Sequence, residues 1–148
     1  MKVDRWSLME ILNNCKDDAD LNYLDVSNVT DMSWAFKGSK FNGDISKWDV
    51  SRVTSMCGMF DGSSFNGDIS RWDVSNTSDM SWLFNNSVFD GDISRWDVSR
   101  CKDMFCMFRG GVFNHSVRMW RFNDVVDLST LRHLGDSKWK QFVTLRGL

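Results

Sequence analysis

Large apolar residues recur along this 148-residue chain every 24 positions without a slip: Phe41, Phe65, Phe89 and Phe113 form one column, and Trp48, Trp72, Trp96 and Trp120 another. Such a register restricts the fold severely, because it brings equivalent residues together only if successive units stack. Ile45, Ile69, Ile93 and Val117 make a third column, Val50, Val74, Val98 and Phe122 a fourth, and Met56, Met80, Met104 and Leu128 a fifth. Phe60, Phe84 and Phe108 complete the set, while Leu21, Leu24, Val26, Val29, Met32 and Phe36 begin it as a partial first unit. One unit alone cannot bury two Phe, a Trp and two Met, so neighbouring units share a continuous core.

Inside a unit the spacing changes. Trp48 and Val50 stand two apart around Asp49, the period of a strand, whereas Val53, Met56, Met59 and Phe60 fall three or four apart, the period of a helix. Phe41-Asn42-Gly43-Asp44 reads as the turn that opens the next strand. Ser51, Ser75 and Ser99 stand where they would cap the helical stretch, with Asp79 and Asp103 near its positive end. The predicted fold is an α/β solenoid of about four to five strand–helix units with a parallel sheet, its strands about 4.7–4.9 Å apart, and helical caps. The absence of proline agrees with internal strands that need every N–H. The predicted division is a capping helix within 1–20 (Ser7 to Asn14), repeats over 21–132 with a degenerate last unit, and a cap over 133–148, all one domain.

Composition narrows the function classes. Eighteen Lys+Arg against twenty Asp+Glu leave a net charge of −2, too balanced for a nucleic-acid footprint. With 42% hydrophobic and 14% aromatic residues, the chain is not of the disordered class. Four cysteines without CxxC spacing suit a reducing compartment. Asp4, Arg5 and Glu10 interrupt any signal-peptide core, and no segment approaches a membrane span, so the expected location is the cytoplasm of a cell or of an infected host; a surface location is the alternative if a signal has been removed. No triad, HExxH, Walker or GxGxxG motif is spelled out, and His115 and His133 are scattered, so the expectation is a non-enzyme without cofactor. Asp90 with Asp92 is too sparse a carboxylate set for calcium, and no metal is expected; Asp44, Asp68 and Asp92 read as turn residues.

The segments FNGDISKWDVSRVTSMCGMF, FNGDISRWDVSNTSDMSWLF and FDGDISRWDVSRCKDMFCMF resemble the repeats of BspA-like leucine-rich-repeat surface proteins, and Ile45 to Val53 fits the LxxLxLxxN frame. The resemblance covers about three quarters of the chain. It implies a leucine-rich-repeat fold and a non-enzymatic binding or adhesion role.

Residues that flank the inward Trp and Val point outward and form ladders. Tyr23, Lys47, Arg71, Arg95 and Met119 make one, Asp25, Asp49, Asp73, Asp97 and Arg121 a second, and Ser27, Ser51, Ser75, Ser99 and Asn123 a third. Either these columns neutralise one another and solubilise the face, or a protein partner docks on them; both can hold at once. The partner-binding set is Tyr23, Asp25, Lys47, Asp49, Arg71, Asp73, Arg95, Asp97 and Arg121. Besides a binding module, the readings are a phage- or virus-encoded inhibitor of a host enzyme or defence complex, and a surface adhesin. Self-association through the caps competes with capping itself. The Met residues and Cys57, Cys101 and Cys106 read as core, whereas Trp34 and Trp82 stand outside the shared apolar frame and, with Phe105, are expected at the surface.

Overall fold

Where each unit sends its backbone N–H groups decides how the units stack. The computed structural model describes residues 1–123 and Val126. In it the N–H groups of Met32, Trp34, Phe36 and Gly38 donate to the carbonyls of Ser55, Cys57, Met59 and Asp61 in the next unit, at 2.7–2.9 Å. The carbonyls of Met32, Trp34 and Phe36 instead accept from Ala35, Lys37 and Ser39 in their own unit, at 3.0–3.2 Å. Alternate residues therefore face alternate partners, and no backbone group in the run competes with its neighbour. The same double pattern repeats 24 residues on, from Met56 to Asp79 through Gly62 to Asn85, and again from Met80 to Asp103 through Asn86 to Arg109.

This arrangement replaces the predicted strand and helix. Among the described residues the one helix is α1, Arg5–Asn14, and parallel pairing is confined to five isolated bridges, including Asp31↔Ser55, Ser55↔Asp79 and Asp79↔Asp103. There is no parallel sheet among them, so the α/β solenoid of strand–helix units, with its leucine-rich-repeat sheet and helix in every unit, is not what the chain builds. The helical-looking stretch is broken because its third-turn positions have positive φ: Trp34, Gly58, Trp82 and Cys106 at 54 to 64°, and Gly38, Gly62, Asn86 and Gly110 at 50 to 67°. A residue in that region ends an α-helix but suits the third position of a tight turn such as Met32 to Ala35 or Phe36 to Ser39. The strand-looking stretch is also two turns, closed by Trp48 N–H on the Ile45 carbonyl and Val53 N–H on the Val50 carbonyl. Ser51, Ser75 and Ser99 consequently cap no helix. The expected cap over 133–148 and the end of the repeat at 132 lie outside the described residues.

The inward side of every turn is apolar, and its rings stack from unit to unit. Phe41, Phe65, Phe89 and Phe113 lie nearly parallel with centroids 6.3–6.4 Å apart, and Trp48 and Trp72 are 6.4 Å apart at 5°. Phe36, Phe60, Phe84 and Phe108, on the bonded run itself, step by only 5.3–5.8 Å. The units therefore splay away from the hydrogen-bonded run, and the Trp column steps by more than the 4.7–4.9 Å expected of paired strands. Each column Trp also anchors across the stack: Trp48, Trp72, Trp96 and Trp120 donate Nε1–H to the carbonyls of Leu21, Ile45, Ile69 and Ile93, at 2.9–3.2 Å. A buried indole N–H thus has its acceptor.

At the start of the stack α1 lies over the first unit. Asp4 accepts from Ser7 N–H at 2.8 Å and donates its own N–H to Ser7 Oγ at 3.0 Å, a reciprocal cap that begins the helix two residues before Ser7. Leu8 and Leu12 are buried, with Met9 and Ile11 packed against the core. On the first unit α1 supplies donors where later units receive a neighbour's backbone N–H: Arg5 Nη1 donates to the Asp31 carbonyl at 2.7 Å and Nη2 to the Ser33 carbonyl at 3.2 Å.

Trp72 is 4% exposed and packs against Trp48 and Phe60 of the preceding unit. Trp72→Ala is expected to lower the unfolding free energy by about 3–5 kcal/mol in a denaturant titration. Gly58 combines positive φ with the Trp34 ring seated where a Cβ would go. Gly58→Ala should therefore cost more than the ~1–2 kcal/mol of the backbone conformation alone, and Trp34→Gly in the same chain should return part of the loss.

Candidate functional site

The turn around Trp48 explains why its neighbours face water. With Trp48 and Val50 held in the core, Lys47 and Asp49 are exposed and Ser51 is half-buried; Arg71 and Asp73, and Arg95 and Asp97, repeat the arrangement. Tyr23 and Met119, 59% and 79% exposed, end the basic row, and Arg121 is exposed below Asp97. The nine expected partner-binding residues thus share one face of the stack, presented by turns rather than by a sheet.

The two rows differ in how far they are committed. Asp25, Asp49, Asp73 and Asp97 each accept the N–H of the serine two residues on, at 3.0–3.1 Å, and Ser27 and Ser51 add Oγ–H bonds at 2.6 Å. These carboxylates close the turns of the backbone. The serine hydroxyl, followed by the serine N–H, holds Asp25, Asp49 and Asp97 below the usual carboxylate range. Asp44, Asp68 and Asp92 close the preceding turn through Ser46, Ser70 and Ser94, each at 2.9 Å; the serine N–H, followed by the hydroxyl, lowers Asp44 and Asp92, and the hydroxyl, followed by the N–H, lowers Asp68.

Lys47, Arg71 and Arg95 are not committed in this way. None of them makes an ion pair within 4 Å among the described residues, where the ion pairs are Arg5–Asp31, Lys37–Asp61 and His115–Asp90. The neutralisation of one column by the next is therefore through-space rather than by contact. Two recesses open along this row: one of about 350 Å³ between Ser46, Lys47, Asp68 and Arg71, and one of about 570 Å³ bounded by residues that include Arg95, Asp97, Met119 and Arg121.

Other groups are taken up by structure. Asn42, Asn66 and Asp90 form a side-chain ladder whose Oδ1 atoms accept the N–H of Asn66, Asp90 and Asn114 in the next unit, at 2.7–2.8 Å. Asp90 is thus a ladder residue rather than half of a cation pair with Asp92. Burial pushes the Cys101 thiol up to about 12, and the Cys57 thiol is also raised by burial. No group of three side chains able to hold a metal occurs among the described residues, and His133 lies outside them. No helix among them is long and apolar enough to cross a membrane.

Sequence reasoning placed Trp34, Trp82 and Phe105 at the surface without giving them a role. Trp34 and Phe105 are 38% and 42% exposed, Trp82 is half-buried, and they lie along the hydrogen-bonded run. The 48-residue interval between the two Trp was the available signal; their positive φ was not readable from the chain.

A family model described as "Mycoplasma protein of unknown function, DUF285" matches residues 6–120, with an overlapping second match over 62–135. No curated protein and no solved structure matches the chain.

The lowered carboxylates set an acid limit. Their folded pKa lies below the unfolded value of about 3.9, so the unfolded chain binds more protons; the stability they give is present above that value and is lost as pH falls through the folded values. Thermal midpoints measured from neutral pH downward should hold until about pH 4 and then fall. Asp49→Asn together with Asp68→Asn, which keep the turn acceptor but not the charge, should lessen the fall.

Proposed function

The chain belongs to the repeat family described as Mycoplasma protein of unknown function, DUF285, and on that premise we propose that it is a non-enzymatic binding module whose exposed row Lys47, Arg71 and Arg95 holds a protein partner. The observation that carries this reading is the contrast in commitment: the aspartates of the face are engaged with their own serines, whereas the three cations make no ion pair within 4 Å among the described residues. Donors at unit-to-unit intervals match acceptors displayed along an acidic segment of the partner, and Tyr23 and Met119 supply apolar contacts at the two ends.

The physical advantage of such a face is preorganisation. Trp48, Trp72 and Trp96 are locked by stacking and by their Nε1 bonds, so the backbone from which Lys47, Arg71 and Arg95 extend does not reorder on docking. Charge of this kind sets orientation and encounter rate more than affinity. Binding should weaken with added salt.

Replacing Lys47, Arg71 and Arg95 together by Gln tests the reading. Capture of the partner should fall and its salt dependence flatten, while unfolding free energy changes by no more than about 0.5 kcal/mol, as for surface substitutions. Undiminished capture by a folded triple variant would place the partner elsewhere.

A further inference from the structure

The hydrogen-bonded run contains the same constellation twice, once filled by cations and once without them among the described residues. In the first copy Lys37 Nζ stands over the Trp34 ring, 4.6 Å from its centroid, and the Arg5 guanidinium meets Asp31 at 2.8 Å. A Trp face and a carboxylate three residues before it are thus occupied by an ammonium and a guanidinium from the chain itself, which is how a π face and an anion hold cations.

Forty-eight residues on, Trp82 and Asp79 repeat the pair, and the next unit enlarges it. Phe105 meets Trp82 edge-on, with centroids 5.5 Å apart at 63°, and Asp103 bridges to Asp79. Among the described residues the filling cations are missing; Asp79 accepts the N–H and Oγ–H of Ser81 at 2.9 and 2.6 Å and Asp103 the N–H of Phe105 at 2.8 Å, as Asp31 accepts the N–H of Ser33 while also meeting Arg5. Asn85 stands where Lys37 would, and neither Asp79 nor Asp103 makes an ion pair within 4 Å among the described residues, although Lys102 and Arg109 are near in sequence. Asn85 is 4% exposed and donates Nδ2–H to Asp61 at 2.7 Å, which leaves its Oδ1 a buried acceptor without a donor. Trp82 moreover holds φ at +60° in a column where Gly58 meets the same backbone demand without a Cβ. A large aromatic is retained where glycine suits the backbone better.

We propose that Trp82, Phe105, Asp79 and Asp103 form a second site, for the arginine or lysine side chain of a basic protein segment. The ring pair supplies the π face and the two carboxylates supply the counter-charge, as Trp34 and Asp31 do for the internal cations. The stand-ins are themselves protein side chains, and the run continues from unit to unit, so a peptide rather than a small quaternary ammonium ion fits it. This site is separate from the row Lys47, Arg71 and Arg95, which selects the opposite charge.

The test is titration of the whole chain with a short oligo-arginine peptide, followed by tryptophan fluorescence and by calorimetry. Phe105→Ala, Asp103→Asn and Trp82→Gly should each weaken binding about tenfold, whereas Asp97→Asn should bind like the parent. Phe105 is exposed, so its variant reports binding even if Trp82→Gly unfolds. Unchanged affinity in Phe105→Ala and Asp103→Asn would overturn the proposal. So would equal weakening by Asp97→Asn, which would show diffuse charge attraction, or saturation by tetramethylammonium with no response to the peptide.

Discussion

Backbone groups that alternate between a unit's own turn and the neighbouring unit hold this stack in register, and the other contacts are arranged around them. Because Met32, Trp34, Phe36 and Gly38 donate outward while Ala35, Lys37 and Ser39 donate back, a run of eight residues satisfies itself without helix or sheet. The pattern needs positive φ at two places in each unit. Glycine meets that need at Gly38, Gly58, Gly62 and Gly110; Trp34, Trp82, Asn86 and Cys106 meet it at a cost of about 1–2 kcal/mol each. Arg5 shows how strict the accounting is, since its guanidinium supplies donors to two carbonyls of the first unit that in later units accept from a neighbouring backbone.

The ring columns follow from that register and reinforce it. A 24-residue step puts Phe on Phe and Trp on Trp within a few degrees of parallel, and the same step lets each indole N–H reach a carbonyl of the unit before. Beyond the bonded run the units are joined through side chains such as Asn42, Asn66 and the column Trp residues, and the columns there step 6.3–6.4 Å instead of 5.3–5.8 Å. The recesses beside Lys47, Arg71 and Arg95 open on this more widely stepped side of the stack.

The candidate site was partly legible in the chain. That Lys47, Arg71 and Arg95 face water follows from their place beside inward Trp residues, whichever backbone carries them. That they make no ion pair among the described residues does not follow, because it depends on Asp49, Asp73 and Asp97 turning back to Ser51, Ser75 and Ser99. The second constellation was less legible still. Trp82 and Asp79 repeat Trp34 and Asp31 in plain sequence, but the filling of one copy by Lys37 and Arg5 is a matter of reach between units.

The amino-acid sequence alone determined the period, the columns and the rows of charge, because these depend only on stacking equivalent residues; Cys57, read as core, and Trp82, read as surface, are both half-buried. The sequence did not determine the secondary structure. The two-residue spacing of Trp48 and Val50, and the three- and four-residue spacing of Val53, Met56 and Phe60, are produced equally well by consecutive tight turns whose inward corners carry the apolar side chains. Only the tertiary structure decided between turn and strand or helix, because the competing hydrogen-bond partners lie about 24 residues away in the neighbouring unit. A local pattern cannot register a partner that exists only once the units have stacked.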